Sequence, residues 1–246
     1  MNEGTVEDNA ERMADLAERL AAVQRRIDAA VQDAGRAGEL PTLIVVTKFH
    51  PAADIRRLAS LGVRDVGENR DQEASSKAAE LEGLGLNWHF VGQLQSKKAK
   101  SVVKYAHALH SVDRLALVDG LERAIAAEQE RTGRGALDCF IQVSLDDDAG
   151  AHRGGVAAAE VPLLAERLAA AAGLELAGVM AVAPLGTSPE VAFEKLAAIS
   201  AALVAEHPGA TAISAGMSQD LEAAIRFGAT HLRIGSDILG SRPDVG

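Results

Sequence analysis

The sequence predicts a single (β/α)8 barrel, a TIM barrel, with an extra N-terminal helix. From about residue 41 to 240, short β-branched runs alternate with longer stretches rich in Ala, Leu and Glu. Such alternation indicates parallel strands joined by right-handed helical crossovers. Eight strand–helix units fit a chain of 246 residues, because barrels of this type take about 250 residues. No Pro- or Ser-rich linker divides the chain, so we expect residues 1–246 to form one domain.

An open doubly wound sheet is the alternative fold. That fold usually carries a GxGxxG turn after its first strand. Here the first strand is followed by TKFHPA (47–52), which contains no glycine. The closed barrel is therefore the preferred prediction.

The first predicted element is a helix over residues 8–34. Its apolar residues recur at steps of three and four and form one stripe: Met13, Leu16, Leu20, Val23, Ile27 and Val31. Gly35 and Gly38 then end the pattern. We expect this helix to cover the outer surface of the barrel rather than to bind a partner.

The barrel itself is predicted over about residues 41–240. Its eight strands are expected at 43–48, 63–69, 86–92, 107–112, 137–145, 174–182, 210–216 and 230–236. The helices between them are expected at 51–61, 70–83, 96–104, 113–131, 156–172, 189–206 and 218–227. In such a barrel, catalytic and binding residues lie where the strands end.

Composition excludes several classes of function. The 25 Lys and Arg are outnumbered by 35 Asp and Glu, for a formal charge of −10, and 3% of residues are aromatic. Both features argue against a general nucleic-acid binder. No apolar run reaches the ~18 residues of a membrane span, and the polar start MNEGTVEDNA is unlike a signal peptide. With one cysteine and no paired metal ligands, we expect a cytoplasmic protein without disulfides or metal.

The ends of strands seven and eight predict a phosphate site, because barrels often bind phosphate there. We call the residues 214–218 and 233–236 the cradle loops; they read Ser-Ala-Gly-Met-Ser and Arg-Ile-Gly-Ser. Gly216 lets the backbone approach a ligand, and the helix start that follows presents free N–H groups. Taken alone, Ser218 fits a helix N-cap equally well. The occurrence of both loops favours phosphate.

Lys48 ends strand one after four apolar residues (43–46). Removal from water disfavours the ammonium form, and a neutral amine can form a Schiff base with a carbonyl compound. A lysine that reaches solvent at the strand end is the plainer alternative. A Schiff-base lysine opposite a phosphate site indicates pyridoxal phosphate or a phosphorylated carbonyl sugar, and the residues alone leave both open.

Seven motifs follow one another in a characteristic order: VTK (46–48), GEN (67–69), WHFVGQLQSKK (88–98), HRGG (152–155), GVMAV (178–182), SAGMSQDLEAAI (214–225) and RIGSDILG (233–240). In these motifs the chain resembles the pyridoxal phosphate homeostasis proteins, which are single-domain relatives of the N-terminal barrel of alanine racemase. The resemblance implies pyridoxal 5′-phosphate as the cofactor. It implies a carrier or regulator of that cofactor, with enzymes that use it as partners.

The resemblance also implies the site residues. Lys48 matches the lysine that holds the cofactor as a Schiff base, Asn69 lines the pocket, and Met180 lies beside the ring. Arg233 matches the arginine that faces the pyridine nitrogen. The residues of the phosphate site are Ser214, Gly216, Met217, Ser218, Gly235 and Ser236.

Three positions depart from the family pattern. His50 stands where the family often has a second lysine, so a role for that lysine is not expected here. Lys97 replaces an asparagine, and Ser236 replaces a threonine but keeps the hydroxyl. None of the three removes the Schiff-base lysine or a phosphate donor.

An amino-acid racemase that uses pyridoxal phosphate is the main alternative function. Racemisation needs a base on each face of the α-carbon, and alanine racemases take the second base, a tyrosine, from another domain. The one tyrosine, Tyr105, is expected to be a packing residue, and the sequence ends soon after strand eight. Arg233 is always protonated and should leave the ring a poor electron sink. We therefore expect a non-catalytic binding protein, as a monomer or homodimer.

Overall fold

Eight parallel strands close into a barrel in sequential order in the computed structural model, which describes residues 3–146 and 154–241. The strands are β1 Thr42–Val46, β2 Asp65–Glu68, β3 Asn87–Phe90, β4 Ala106–Val112, β5 Leu137–Gln142, β6 Leu174–Met180, β7 Ala212–Ser214 and β8 His231–Ile234. Since β8 pairs with β1, each strand has a neighbour on both sides. The predicted (β/α)8 barrel is confirmed, and the open sheet is wrong.

Helices surround the barrel and follow the strands as predicted. They are α1 Glu3–Asp33, α2 Ala52–Ser60, α3 Asp71–Glu80, α4 Ala99–Val102, α5 Leu115–Thr132, α6 Val161–Ala169, α7 Pro189–Glu206, α8 Leu221–Arg226 and α9 Ser236–Leu239. Short 3-10 turns at Ser96–Lys98 and Ala158–Glu160 precede α4 and α6. The short helix α9 follows β8. Helix α8 begins at Leu221 rather than at residue 218, which lengthens the loop before it.

The larger apolar core lies between the barrel and its helices. The stripe of α1 enters it through Leu16, Leu20, Val23, Ile27 and Val31, each at most 4% exposed. The helix packs mainly on α8 and α9, so its predicted role as a cover is confirmed. Burial of apolar area at roughly 25 cal/mol per Å² is the main force that holds this layer to the barrel.

The inside of the barrel is unusually polar. Its apolar part is a small group formed by Ala108, Phe140 and Met180. Four of the buried polar side chains on the strands are joined by hydrogen bonds: His89, His110, Ser214 and Arg233. Because branched apolar residues normally fill such an interior, these polar groups need partners, and the site below supplies them.

The described residues contain neither a membrane-spanning helix nor a metal-binding cluster. Within 3–146 and 154–241, no helix is long and apolar enough to span a bilayer. The same residues contain no group of three or more His, Cys, Asp or Glu that would hold a metal ion. The first two residues of the HRGG motif lie outside the described residues.

Candidate functional site

The predicted site residues follow five strands that end at the same mouth of the barrel. Lys48 lies two residues after β1, Asn69 directly follows β2, and Met180 ends β6. The cradle loops follow β7 and β8. The side chain of Val46, the last residue of β1, would lie 3.3 Å from a Cβ added to Gly67 on β2. Lys48 is half-buried.

A hydrogen-bonded cluster holds the turn that carries Lys48. The Lys77 ammonium on α3 donates to the Thr47 carbonyl at 3.0 Å, and Glu73 accepts the Phe49 N–H at 2.7 Å. Phe49 has φ +68°, a conformation that is strained for a residue other than glycine. The two residues flanking Lys48 are thus anchored to one helix.

The same cluster buries Glu68 of the GEN motif, which is 1% exposed. Its Oε1 accepts hydrogen bonds of 2.7 Å from both Lys77 and the Thr47 hydroxyl. Burial raises the pKa of Glu68, and the bond from Lys77 offsets part of that rise. The sequence motif therefore marks a supporting ion pair, and nothing in the local pattern identified Lys77 as its partner.

Asn69, directly after β2, carries a buried acceptor. Its Oδ1 is buried and has no hydrogen-bond partner in the described structure. Its backbone lies against Gly92, where an added Cβ would be 2.2 Å from the Asn69 carbonyl oxygen. Because buried polar atoms normally have a partner, Asn69 fits a residue that bonds a ligand.

The cradle loops bring two of the predicted serines together. The hydroxyl oxygens of Ser218 and Ser236 are 3.5 Å apart. Ser218 is not the N-cap of α8, because that position belongs to Asp220, whose Oδ1 accepts the Met217 N–H at 2.6 Å. The alternative explanation of Ser218 as a cap is therefore wrong, and both hydroxyls remain available to an anion.

Gly216 is required by packing as well as by any ligand. Its φ is +95°, and an added Cβ would lie 2.7 Å from the Cβ of Ala224 and 2.8 Å from Leu232 Cδ2. A side chain here would push the first cradle loop off α8 and β8. In the second loop, an added Cβ on Gly235 would be 3.1 Å from the Val46 carbonyl oxygen, so this loop lies against the end of β1.

An arginine on α1 ties the cradle loops together from behind. Arg26 donates to the Ser218 carbonyl at 3.0 Å, and it forms ion pairs with Asp237 at 2.7 Å and Glu222 at 2.9 Å. The sequence predicted α1 as a cover only, because partners this far apart along the chain leave no local pattern. The helix is part of the support of the site.

Arg233 and Ser214 meet inside the barrel, below the mouth. The arginine donates to the Ser214 hydroxyl at 2.6 Å and to the Ala181 carbonyl at 2.8 Å. Burial lowers the pKa of Arg233 to about 10, although the charge of Asp220 opposes that shift; the group stays cationic at neutral pH. Ser214 is fully buried and also bonds His110 at 2.8 Å, so its hydroxyl is engaged away from Ser218.

Two of the three positions that depart from the family pattern, His50 and Lys97, lie beside the site or outside it. His50 is buried 3.9 Å from Asp54, and its pKa is lowered by burial. Lys97 is exposed on the 3-10 turn. Tyr105 packs against the outer apolar layer and donates to Asp71 at 3.3 Å, so its prediction as a packing residue is confirmed.

Comparison with known proteins agrees with this geometry. Residues 19–243 match the family model of the alanine racemase N-terminal domain. The pyridoxal phosphate homeostasis protein of Corynebacterium glutamicum is 43% identical over 90% of this chain and 99% of its own length. The protein of that name from Escherichia coli K12 is 36% identical over 94% and 98% of the two chains.

Solved structures show the same fold. PipY of Synechococcus elongatus PCC7942, solved with PLP bound, is 34% identical and has a TM-score of 0.75, covering 92% of this chain and all of its own. Alanine racemase of Corynebacterium glutamicum has a TM-score of 0.65 at 17% identity. At that identity the likeness is one of fold, and this chain covers 63% of the racemase.

Proposed function

Because the chain belongs to the family of pyridoxal phosphate homeostasis proteins, built on the alanine racemase N-terminal domain, we propose that it holds pyridoxal 5′-phosphate in the barrel mouth, attached to Lys48. One observation carries the proposal: the second cradle loop lies against Val46, two residues before Lys48. This contact supports the proposal that the Lys48 amine and a pair of serine hydroxyls share one mouth. The role of the protein is in the homeostasis of pyridoxal 5′-phosphate.

The residues present fit this cofactor. The Asn69 Oδ1 is a buried acceptor without a partner, and Ser218 and Ser236 offer two adjacent hydroxyls. Met180 supplies a buried apolar surface at the end of β6. Bound pyridoxal phosphate supplies an aldehyde that condenses with a primary amine and a phosphate that needs hydrogen-bond donors.

Arg233 sets the polarity expected at the ring. A guanidinium has donors only, so a ring nitrogen that meets it must accept a hydrogen bond and remain unprotonated. An unprotonated ring withdraws electrons weakly and stabilises a carbanion poorly. This favours a binding protein that holds the cofactor without rapid amino-acid chemistry.

A racemase is the less favoured function. The described residues place Tyr105 in the packing layer, so it does not supply a second base at the mouth. Proteins that use pyridoxal phosphate are the partners that a carrier would serve. The buried Cys139 fits a reducing compartment such as the cytoplasm.

The test is chemical trapping on the purified protein. A visible absorbance band from bound pyridoxal phosphate should disappear on borohydride reduction, and peptide mapping should find the adduct on Lys48. Lys48→Ala should abolish the adduct, whereas Lys97→Ala, which changes an exposed lysine, should leave it intact. An adduct on another lysine in the wild type would contradict the assignment. A colourless protein that forms no adduct would favour the sugar-phosphate alternative.

A further inference from the structure

A chain of five side chains crosses the inside of the barrel from β2 to β8. Beyond Arg233 and Ser214, His110 Nε2 is 2.9 Å from His89 Nδ1, and His89 Nε2 is 3.0 Å from Asp65 Oδ1. His89 and His110 are at most 3% exposed. Each of the two buried histidines thus has a side-chain partner on both ring nitrogens.

The two ends of this chain fix the direction of its hydrogen bonds. Arg233 can only donate. Burial raises the pKa of Asp65, but hydrogen bonds from His89 and Asn87 outweigh it and hold the pKa below its ordinary value, so the ionised carboxylate only accepts. With neutral rings, every bond must then run one way: Arg233 to Ser214, Ser214 to His110, His110 to His89, and His89 to Asp65. Both histidines carry their proton on Nε2.

The surroundings of His110 favour its neutral form. His110 is stacked on Phe140 at 4.2 Å between ring centroids, and Arg233 already places one cation beside Ser214. Burial, together with nearby positive groups, lowers the pKa of His110 well below its usual range. A protonated His110 would place a second donor against the oxygen that Arg233 needs as an acceptor.

We propose that His110 and His89 are positioning residues that hold Ser214 as the acceptor of Arg233 and so fix the guanidinium in one orientation toward the cofactor ring. This inference rests on the proposed function. It moves Ser214 from the phosphate site, where sequence comparison placed it, to the support of the ring. Phosphate binding then rests on Ser218 and Ser236.

The proton positions can be measured without any ligand. In ¹⁵N-labelled wild-type protein at neutral pH, the imidazole nitrogens of His89 and His110 should both show the neutral Nε2–H form by NMR. An Nδ1–H tautomer or an imidazolium at either residue would overturn the donor chain. This readout needs no variant to fold and no cofactor to bind.

Binding of two ligands tests the reassignment of Ser214. Pyridoxal lacks the phosphate of pyridoxal phosphate. Substitution of a residue that supports the ring should therefore weaken the binding of both molecules. Substitution of a residue that contacts the phosphate should weaken the binding of pyridoxal phosphate alone. His110→Phe keeps a ring to stack on Phe140 but offers no acceptor. Both His110→Phe and Ser214→Ala should weaken the binding of the two ligands by a similar factor, about tenfold. Ser218→Ala should weaken pyridoxal phosphate alone.

Matched variants separate the positioning role of the donor chain from a general loss of stability. His207→Phe changes a partly buried histidine at the end of α7, outside the barrel, and should keep both dissociation constants within about twofold. Asp65→Asn retains an acceptor oxygen and should rescue binding that Asp65→Leu loses. Unchanged binding in His110→Phe, or loss of phosphate-dependent binding alone in Ser214→Ala, would overturn the proposal. Failure of the wild type to bind pyridoxal phosphate would instead contradict the proposed function.

Discussion

The Lys77 ammonium donates a hydrogen bond to the Thr47 carbonyl at 3.0 Å, directly before the lysine assigned to hold the cofactor. The same ammonium bonds Glu73 and Glu68 at 2.6 and 2.7 Å. One buried cation therefore connects the turn at Lys48, the end of β2 and helix α3. The amine is presented on a rigid support rather than on a free loop.

Lys77→Met should destabilise the protein by about 3–5 kcal/mol, because removal of one partner leaves a buried carboxylate unpaired. Urea unfolding measures the loss. Lys100→Met, which changes an exposed lysine on α4, is the matched control and should stay within about 0.5 kcal/mol of the wild type.

The double variant Lys77→Met, Glu68→Leu should recover most of that stability, since no unpaired charge remains buried. The Thr47 carbonyl stays unsupported, so formation of the reducible adduct on Lys48 should remain slower than in the wild type. Adduct formation at the normal rate would show that Lys77 acts on stability alone.

Arg26→Met should weaken pyridoxal phosphate binding by about fivefold at low salt, because partly exposed ion pairs contribute up to about 1 kcal/mol. Pyridoxal binding should not change, since Arg26 supports the cradle loops and not the ring. The difference should shrink as salt screens the charges. Arg25→Met, the exposed neighbour on α1, should behave as the wild type in titrations with both ligands.

Acid should destabilise the fold through His231. Burial lowers its pKa from 6.5 to about 4. Between pH 6.5 and 4, His231 is therefore protonated in the unfolded chain but neutral in the folded protein. The free energy of unfolding should fall as the pH drops through this range. The contribution is roughly 3 kcal/mol at the lower limit. The charged or titratable groups around this ring include His89, His107, His110, Asp65 and Arg233.

His231→Asn isolates that contribution, because the carboxylates that also titrate in this range are common to both proteins. The gap between the two unfolding free energies should narrow steadily below pH 6.5. His207→Asn, outside the barrel at the end of α7, should run parallel to the wild type. A gap that is constant with pH would contradict the assignment.

Arg233→Glu should increase slow reactions of the bound cofactor with amino acids. A carboxylate at this position would favour a protonated ring nitrogen and a better electron sink. Racemisation of L-alanine, followed by chiral chromatography, measures the effect. Arg226→Glu, an exposed change on α8, controls for added negative charge. Wild-type racemisation at ordinary enzyme rates would contradict the carrier function itself.

Sequence patterns were sufficient for the order of the elements. The alternation of strands and helices identified all eight strands, and the stripe of α1 identified its buried face. Lys48 and the serines of the cradle loops were predicted as site residues because a barrel brings strand ends together whatever the helices do. Asn69 was predicted from the family resemblance. These features depend on local periodicity and on topology.

The supporting contacts could not be predicted in the same way. Arg26 and Asp237 are 211 positions apart, and Ser214 and His110 are 104 apart. Such pairs are fixed by closure of the barrel and leave no local pattern. One signal was present: His89, His110, His231 and Arg233 all lie within strands, where a barrel interior normally has apolar residues.

The chain from Asp65 to Arg233 also bears on how the barrel can be divided. Its donor lies on the last strand and its final acceptor on the second, so a fragment of either half keeps polar groups whose partners are in the other. In a half-barrel these polar groups would be buried without hydrogen-bond partners, which would cost about 1–3 kcal/mol of stability for each group. Fragment complementation should therefore need both halves at once, and the two halves are not interchangeable modules.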